Sequence, residues 1–413
     1  MLEATFIGYT VYYFVRNNLS LVQLEMRSDL GYSNAQVGHL IACSSIAYGL
    51  GKFILGGISD RSNPRTFMPL GLTLAALCNI AFAMTRDYAT HLILWTFCGL
   101  FQAMGWPPCG RILGHWFSTN ERGKVFAFWN ISHNLGGALI GILAVEACRQ
   151  LNGWQAAFHV PAFLAILCSG YLYATLRDTP QSEGLPPIEI YRKDMPQSGL
   201  TYEKELSHKE IYWDQILTNK YIWVFALANF FVYICRYSML DWGPTYLKVT
   251  KGANLLQGGM SVFVLELAGI PSTLLMGWLS DRLEGKRALV SLACMLPVVL
   301  GFLFLVLQPF SHIGYHMMSL ALIGFFIYPP VMLLGVAGLD FSSKKAVGAA
   351  AGFIGLFGYL GRTFQGALLG YLADAGRWDA VIWFIVGCGL AACILLLGVV
   401  GVRPATRQPQ AKK

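Results

Sequence analysis

Long apolar runs separated by short polar stretches make up most of this chain. A helix that crosses a membrane needs about 20 mainly apolar residues, and twelve runs have about that length. They lie near residues 2–22, 33–58, 66–85, 90–113, 124–148, 154–176, 220–247, 257–280, 287–308, 313–339, 346–373 and 378–401. The pattern predicts an all-α integral membrane protein with twelve transmembrane helices.

The composition agrees with this class. Of the 413 residues, 55% are hydrophobic and 13% are charged, and the mean hydropathy is +0.51. Soluble domains have about 25% charged residues. The composition therefore excludes an ordinary soluble globular protein.

Two motifs recur at almost the same spacing in the two halves of the chain. The pattern Gly-x-x-Ser-Asp-Arg occupies 56–61 and 277–282, a displacement of 221 residues. The pattern Tyr-x-x-Arg ends at Arg16 and at Arg236, a displacement of 220 residues. A repeat of this length predicts two pseudo-symmetric six-helix bundles. We expect an N-terminal bundle over 1–176, a cytoplasmic linker loop over 177–219, and a C-terminal bundle with a short cytoplasmic tail over 220–413.

A third repeat relates predicted helices 5 and 11. Gly-Ala-Leu-x-Gly occupies 137–141 and 366–370, and the displacement of 229 residues is also the one between His133 and Arg362. Small residues let membrane helices approach closely. We therefore expect tight helix contacts at both runs, with His133 and Arg362 at pseudo-symmetric positions.

Positive charge is distributed unevenly among the loops. The formal net charge is +8, and twenty of the thirty Lys and Arg residues lie after even-numbered helices, in the middle loop or in the tail. Only six lie in the loops on the other side. By the positive-inside rule this pattern predicts that both termini are cytoplasmic. The charge thus indicates topology, and we expect no nucleic-acid partner.

The sequence lacks the common motifs of enzymes and metal sites. It has no His-Glu-x-x-His, no nucleophile elbow and no pair of catalytic carboxylates. None of the ten cysteines stands in a Cys-x-x-Cys motif or in a zinc-like Cys/His cluster. We expect the cysteines to be buried thiols, and we expect no enzymatic activity, no metal and no cofactor.

Charged side chains lie inside the predicted spans, where each costs on the order of 2.5–3.5 kcal/mol. These residues, with one titratable histidine, are Arg16, Lys52, Arg236, Arg362, Asp241, Glu266 and His133. They can reach the membrane surface or pair with one another, and Asp241 is close enough to a helix end to reach the surface. Pairing leaves an imbalance, because four cations face two carboxylates. The surplus positive charge favours an anionic ligand.

The geometry of the guanidinium group favours phosphate or carboxylate oxygens, and two such groups from opposite halves can hold a dianion. Histidine ordinarily titrates near neutral pH, so His133 can donate to phosphate and couple affinity to proton uptake. Tyrosines on the same helices can add hydrogen bonds or serve only in packing. The candidates are Tyr9, Tyr12, Tyr13, Tyr48, Tyr233, Tyr237, Tyr328 and Tyr359. Tyr13 and Tyr233 are the strongest of them, because each lies one helical turn from an arginine.

Motifs scattered over essentially the whole chain carry a family resemblance. They are Ser-Asp-Arg-Ser-Asn-Pro-Arg at 59–65, Gly-Trp-Pro-Pro-Cys-Gly-Arg at 105–111, Trp-Asn-Ile-Ser-His-Asn at 129–134, Arg-Asp-Thr-Pro-Gln-Ser at 177–182, Asp-Trp-Gly-Pro-Thr-Tyr-Leu at 241–247 and Gly-Leu-Phe-Gly-Tyr-Leu-Gly at 355–361. With these segments the chain resembles the organophosphate:phosphate antiporter family of the major facilitator superfamily.

The resemblance implies a function and a set of site residues. It implies exchange of an external organic phosphate, with glycerol-3-phosphate expected first, for internal inorganic phosphate. Two six-helix halves would rock about a midplane site. The residues it implies are Arg16, Arg236, His133 and Lys52 for the substrate, with Asp241 and Glu266 as acidic partners. It also implies the lipid bilayer of the cell inner (plasma) membrane, and we expect a monomer.

The two Asp-Arg loops resemble a signature of the same superfamily and imply a gating role. An aspartate at a helix N-terminus can pair with basic residues and brace neighbouring helices in one conformation, although a solvated turn has the same composition. We assign Asp60, Arg61, Arg65, Asp281 and Arg282 to gating.

Two positions depart from the family pattern. Asn17 stands where glycerol-3-phosphate members have a second basic residue, and Arg362 stands where they have a small one. We hypothesise that Arg362 binds a second anionic group and favours phosphoglycerate or phosphoenolpyruvate. Alternatively, it pairs with Asp374 or faces the cytoplasmic vestibule. A hexose-6-phosphate antiporter and a receptor-like sugar-phosphate sensor are further alternatives.

Overall fold

The computed structural model describes residues 1–192, 213, 216–307, 312–342 and 346–402, and it contains no strand within these ranges. The all-α prediction is confirmed. Nine helical stretches in the described part are long and apolar enough to cross a membrane. The other three predicted spans also fall on helices, two of which are interrupted.

The first half of the chain contains α1 to α11. Their bounds are α1 Leu2–Phe14, α2 Asn18–Leu21, α3 Gln23–Leu30, α4 Asn34–Arg61, α5 Pro64–Met84, α6 Tyr88–Gln102, α7 Trp106–Trp116, α8 Thr119–Trp129, α9 Ile131–Leu151, α10 Ala156–Thr175 and the short α11 Ile188–Tyr191. A 3₁₀ turn, Gln181–Glu183, precedes α11.

The described part of the second half contains six long helices. They are α12 Lys220–Lys251, α13 Leu255–Arg282, α14 Arg287–Leu307, α15 Ile313–Asp340, α16 Val347–Asp374 and α17 Trp378–Leu397. Each coincides with one predicted span, and α12 continues without a break across Arg236.

Three predicted spans of the first half are divided in the structure, one of them, 124–148, at Asn130 between α8 and α9. The span 2–22 stops at Phe14 and resumes at Asn18, so Arg16 lies in the break. The span 90–113 is divided between α6 and α7, where Pro107 and Pro108 open the second segment. Proline lacks the N–H that continues a helix, which explains this second break.

Local sequence determines where several helices begin. Ser33 and Gln36 form a reciprocal capping box at the start of α4. Asn63 accepts from the backbone of Arg65 just before α5 begins at Pro64. These caps satisfy N–H groups that lack partners at a helix start, so the short polar connections between spans also fix where the next helices begin.

The chain divides into two compact units. Unit 1 comprises Met1–Thr201, Leu240–Leu267 and Gly366–Asp374, and unit 2 comprises Tyr202–Met239, Ala268–Gln365 and Ala375–Lys413. Unit 1 therefore includes segments of α12, α13 and α16 from the second half of the chain. The bundle boundaries expected from the sequence repeat remain a prediction.

Each unit has a helical core of its own. In unit 1, α5 packs with α6 and α10, while α1 packs with α9 and α10. In unit 2, α14 packs with α15 and α17, and one apolar cluster contains Val290, Cys294 and Leu333. All ten cysteines are free thiols, nine of them buried and Cys43 partly so.

Close helix contacts occur where the glycine runs predicted them. A Cβ on Gly366 would lie 3.2 Å from the carbonyl oxygen of Gly38, and one on Gly141 would lie 2.6 Å from that of Gly259. Both contacts are within unit 1. The prediction of tight packing at 137–141 and 366–370 is confirmed.

Candidate functional site

Arg16 lies in unit 1, in the break between α1 and α2, and only 9% of it is exposed. Its guanidinium carbon is 4.2 Å from the ring centroid of Tyr48 on α4 and 5.2 Å from that of Tyr13. Lys52, one turn along α4, has its Nζ 5.3 Å from the same Tyr48 ring. Two predicted cations thus share one tyrosine. We call Arg16, Tyr13, Tyr48 and Lys52 the Arg16 cluster.

A row of packed aromatic rings extends from this cluster to His133 on α9. The Tyr13 ring lies 5.6 Å from Tyr9 and 5.9 Å from His133, and Tyr9 lies 4.8 Å from Trp129. Tyr12 also contacts Tyr9, at 6.4 Å, but its hydroxyl donates to the carbonyl of Met68 at 2.7 Å. The structure therefore places His133 beside the Arg16 cluster, while the Tyr12 hydroxyl is used in packing α1 against α5.

Arg236 lies in unit 2 and is 5% exposed. Its guanidinium carbon is 4.5 Å from the ring centroid of Tyr328 on α15 and 5.0 Å from that of Tyr237. Arg362, 7% exposed on α16, places its guanidinium carbon 4.2 Å from the same Tyr237 ring. We call these four residues the Arg236 cluster. Its two arginines share one tyrosine, as Arg16 and Lys52 do in unit 1.

The remaining predicted tyrosines of unit 2 adjoin the Arg236 cluster. Tyr233 and Tyr359 are 5.5 Å apart, and each packs against Tyr237, at 5.5 and 6.5 Å. A cation over an aromatic face is stabilised by the ring quadrupole, most strongly away from water. These rings thus help to hold the cations where the bilayer would oppose them.

The two acidic partners predicted within the spans are both buried in unit 1. Glu266 is completely buried and accepts from Nδ2 of Asn134 at 2.9 Å. Asp241 is 5% exposed, and its backbone carbonyl accepts from Nε2 of Gln23 at 2.6 Å. The alternative in which Asp241 reaches the membrane surface does not fit this burial.

The second Asp-Arg loop contains an ion-paired aspartate, and its gating role remains a prediction. Asp281 Oδ1 lies 2.6 Å from Arg287 Nη1, and the same guanidinium reaches Asp340 at 3.3 Å. The predicted neighbour Arg282 instead lies over Trp278, 4.2 Å from the ring centroid. The basic partner of this loop is therefore Arg287, which sequence reasoning had not selected.

The first Asp-Arg loop has a different set of contacts. Arg65 donates through Nε to the carbonyl of Tyr173 at 2.9 Å, and Arg61 is exposed at the end of α4. The side chain of Asp60 lies outside the described residues. Its gating role remains a prediction.

Further polar contacts of unit 1 were not predicted from the sequence. Nζ of Lys248, on α12, lies 2.8 and 2.9 Å from the two carboxylate oxygens of Glu25. Asp374, at the end of α16, accepts from the backbone N–H groups of Asn34 at 2.6 Å and Ala35 at 2.8 Å. Burial of Asp374 acts to raise its pKa, but these N–H bonds outweigh it, and the pKa lies below its ordinary value of 3.8.

The comparisons with known proteins agree with this architecture. The profile of the Major Facilitator Superfamily matches residues 5–364. The chain belongs to the major facilitator superfamily. It is a multi-pass membrane protein.

Two of the curated relatives are named for the transport of an organic phosphate. The chain is 42% identical over 400 residues to the glycerol-3-phosphate transporter of Bacillus subtilis (strain 168), covering 95% of this chain and 90% of the relative. It is 38% identical to a probable hexose phosphate transport protein of Chlamydia pneumoniae, covering 95% and 89%. It is 35% identical to the membrane sensor protein UhpC of Escherichia coli (strain K12), covering 96% and 91%. The resemblance to the organophosphate:phosphate antiporter family is confirmed, and none of these relatives is named as an enzyme.

A solved structure shows the same fold. A bacterial homologue of the human lysosomal transporter Spinster, in an inward-facing and occupied conformation, matches with a TM-score of 0.71 at 14% identity. The match covers 97% of this chain and 94% of that one. The fold of the superfamily is therefore present over the length of the chain.

Proposed function

We propose that this protein is a secondary transporter that exchanges an organic phosphate for inorganic phosphate, with glycerol-3-phosphate as the first candidate. The observation that carries the proposal is the pair of clusters, each with a buried guanidinium packed on tyrosines. Membership in the superfamily and the names of the relatives support the same substrate class.

In this proposal Arg16 and Arg236 are both required to bind the phosphate group. Guanidinium groups donate bidentate, charge-assisted hydrogen bonds to phosphate oxygens. A phosphate dianion would place negative charge beside these buried guanidinium groups. Lys52 adds a further cation beside Arg16, and His133, next to Tyr13, donates to phosphate when protonated.

The membrane placement is proposed on the same grounds. The cation distribution along the sequence supports cytoplasmic termini, and the substrate class supports the inner (plasma) membrane. We propose that one chain suffices for exchange, because the pseudo-repeat supplies two halves within a single polypeptide.

Labelled phosphate exchange tests the proposal. Proteoliposomes preloaded with unlabelled phosphate would be given labelled phosphate outside, with glycerol-3-phosphate, 3-phosphoglycerate and glucose-6-phosphate as competitors. We expect saturable uptake that glycerol-3-phosphate inhibits best and that Arg16→Lys and Arg236→Lys each abolish. Wild-type uptake in either lysine variant would contradict the assigned role, and binding without exchange would favour a sensor.

The position of Arg362 favours a second candidate substrate. Its guanidinium shares the Tyr237 ring with Arg236, so unit 2 offers two cations to one ligand. A molecule with a phosphate and a carboxylate, such as 3-phosphoglycerate or phosphoenolpyruvate, would use both. Arg362→Gly should then reduce the affinity for 3-phosphoglycerate more than that for glycerol-3-phosphate. An unchanged ratio would refute this role.

A further inference from the structure

Arg16 is presented by a break in a membrane helix. Backbone angles of φ −98° and ψ 16° at Val15, and of φ −100° and ψ 0° at Asn17, lie outside the α-helical region. The N–H groups of Arg16 and Asn17 both donate to the carbonyl of Tyr13, at 3.3 and 3.2 Å. The Arg16 bond spans three residues instead of the four of an α-helix, whereas the Asn17 bond keeps the four-residue spacing, so the regular pattern is interrupted at Arg16.

Two side-chain amides bond to the carbonyls at this break. Nε2 of Gln102 donates to the carbonyls of Tyr12 at 3.2 Å and Val15 at 3.3 Å. Nδ2 of Asn79 donates to the same Val15 carbonyl at 3.1 Å. An unsatisfied carbonyl within a bilayer costs several kcal/mol, so these amides stabilise the broken conformation against a continuous helix.

The amides belong to a buried network that also holds the far side of the break. Asn18, the first residue of α2, donates through Nδ2 to Asn79 Oδ1 at 2.7 Å and to the carbonyl of Ala157 at 3.0 Å. Asn79 and Asn18 are fully buried, and Gln102 is 4% exposed. The chain before and after Arg16 is thereby tied to α5, α6 and α10. All of these residues belong to unit 1.

We infer that Gln102 and Asn79 are positioning residues for phosphate binding, acting through Arg16. A continuous helix would direct the residue-16 side chain by helical periodicity, whereas the break sets its direction separately. Irregular backbone at membrane depth occurs where it lines a cavity or a binding site. The network holds the backbone that places the Arg16 guanidinium over Tyr48. This inference rests on the proposed role of Arg16 in binding phosphate.

Substitutions that replace the amide donors with apolar side chains test the inference. In phosphate exchange, Gln102→Leu and Asn79→Leu should raise the KM for phosphate about tenfold, as expected when a buried acceptor loses its donor. The maximal rate should change by less than about threefold, because the transport cycle itself is not altered. The matched control is Ser169→Ala, which removes a buried bond of 2.8 Å to the carbonyl of Pro69, away from the break. An unchanged KM, or an equal rise in the control, would overturn the positioning role.

Gln102→Glu supplies a second readout if the leucine variants do not fold. A protonated carboxyl can donate to a backbone carbonyl and a carboxylate cannot. The ratio of its KM to that of the wild type should therefore rise with pH, whereas a purely structural role predicts a constant ratio. Arg16→Lys separates the two ideas. If Arg16→Lys exchanges phosphate like the wild type, the proposed function fails. If Arg16→Lys is inactive while both leucine variants keep the wild-type KM, only the positioning role fails.

Discussion

The ion pair between Glu25 and Lys248 gives a quantitative prediction about the stability of unit 1. The Lys248 side chain is only 4% exposed, whereas that of Glu25 is 33% exposed. Nζ of Lys248 also donates to the carbonyl of Leu21 at 2.8 Å. Glu25→Gln keeps the size of the side chain and one acceptor oxygen, but it removes the negative charge that compensates a buried ammonium.

The expected cost follows from this asymmetry of exposure. Removing one partner of a fully buried pair costs about 3–5 kcal/mol, because the other charge stays buried and uncompensated. Here Glu25 is partly solvated, and Lys248 retains the Leu21 carbonyl and the glutamine oxygen. We therefore expect Glu25→Gln to lower the free energy of unfolding by about 2–3 kcal/mol.

Denaturant unfolding of the purified protein in detergent measures this change. The double variant Glu25→Gln/Lys248→Met should recover most of the loss, because it leaves no buried charge. The matched control is Arg86→Gln, which breaks a pair of 2.7 Å with Asp29 at side-chain exposures of 69% and 38%. It should cost less than about 1 kcal/mol. A Glu25→Gln variant as stable as this control would refute the reasoning.

Three further predictions concern other contacts of unit 1. Asp374→Asn should lower the free energy of unfolding by about 1 kcal/mol, because the carboxylate accepts from backbone N–H groups at the N-terminus of α4. Because the pKa of Asp374 is lowered by folding, the stabilisation is complete above the ordinary value of 3.8 and is lost as pH falls below it. The stability difference from wild type, measured by thermal unfolding, should thus be equal at pH 7 and pH 5 and shrink below pH 3.8, and a difference that shrinks already between pH 7 and pH 5 would contradict it. Gly38→Ala forces a Cβ into the facing backbone of α16 and should lower the free energy of unfolding, measured by thermal unfolding, by about 1–3 kcal/mol. Gly170→Ala is its control, because a Cβ there would have no atom within 4 Å. Asp178→Asn breaks a bidentate pair with Arg111, 2.9 Å at both contacts, and should speed limited proteolysis after residue 178; an unchanged cleavage rate would argue against it.

Much of the fold follows from the sequence, because membrane helices must satisfy their backbone internally and therefore appear as long apolar runs. The repeat offset then indicated two matched halves. The packing of Arg16 on Tyr48 and of Arg236 on Tyr328 agrees with the expectation that a buried cation is stabilised by a neighbouring group, here an aromatic ring. Hydropathy was sufficient for the helices, whereas the two matched halves remain a prediction.

The break at Arg16 could not be predicted from the same signals. The repeat matches Arg16 to Arg236, yet α12 is continuous where α1 ends. The difference depends on donors supplied by Asn79 and Gln102, which are more than sixty residues away along the chain. Buried amides inside apolar spans were the available signal, but only their partners show what they do.

The ion pair of Glu25 and Lys248 was missed for a related reason. Both residues lie at the ends of apolar runs, where a charge is inexpensive and usually solvated. Nothing in the local sequence distinguishes a lysine that reaches water from one enclosed by a neighbouring helix.

The glycine contacts have a consequence for the speed of any movement in unit 1. At Gly38 with Gly366, and at Gly141 with Gly259, one backbone meets another directly, and the side chains of Ile41 and Val145 adjoin these contacts. Interlocked side chains must change rotamer before two helices can separate, which adds to the activation barrier, whereas smooth backbone surfaces can part without such steps. These glycine contacts therefore reduce the number of side chains that must rearrange before the helices separate. A single methyl group added there would raise the activation barrier to separation as well as strain the folded state.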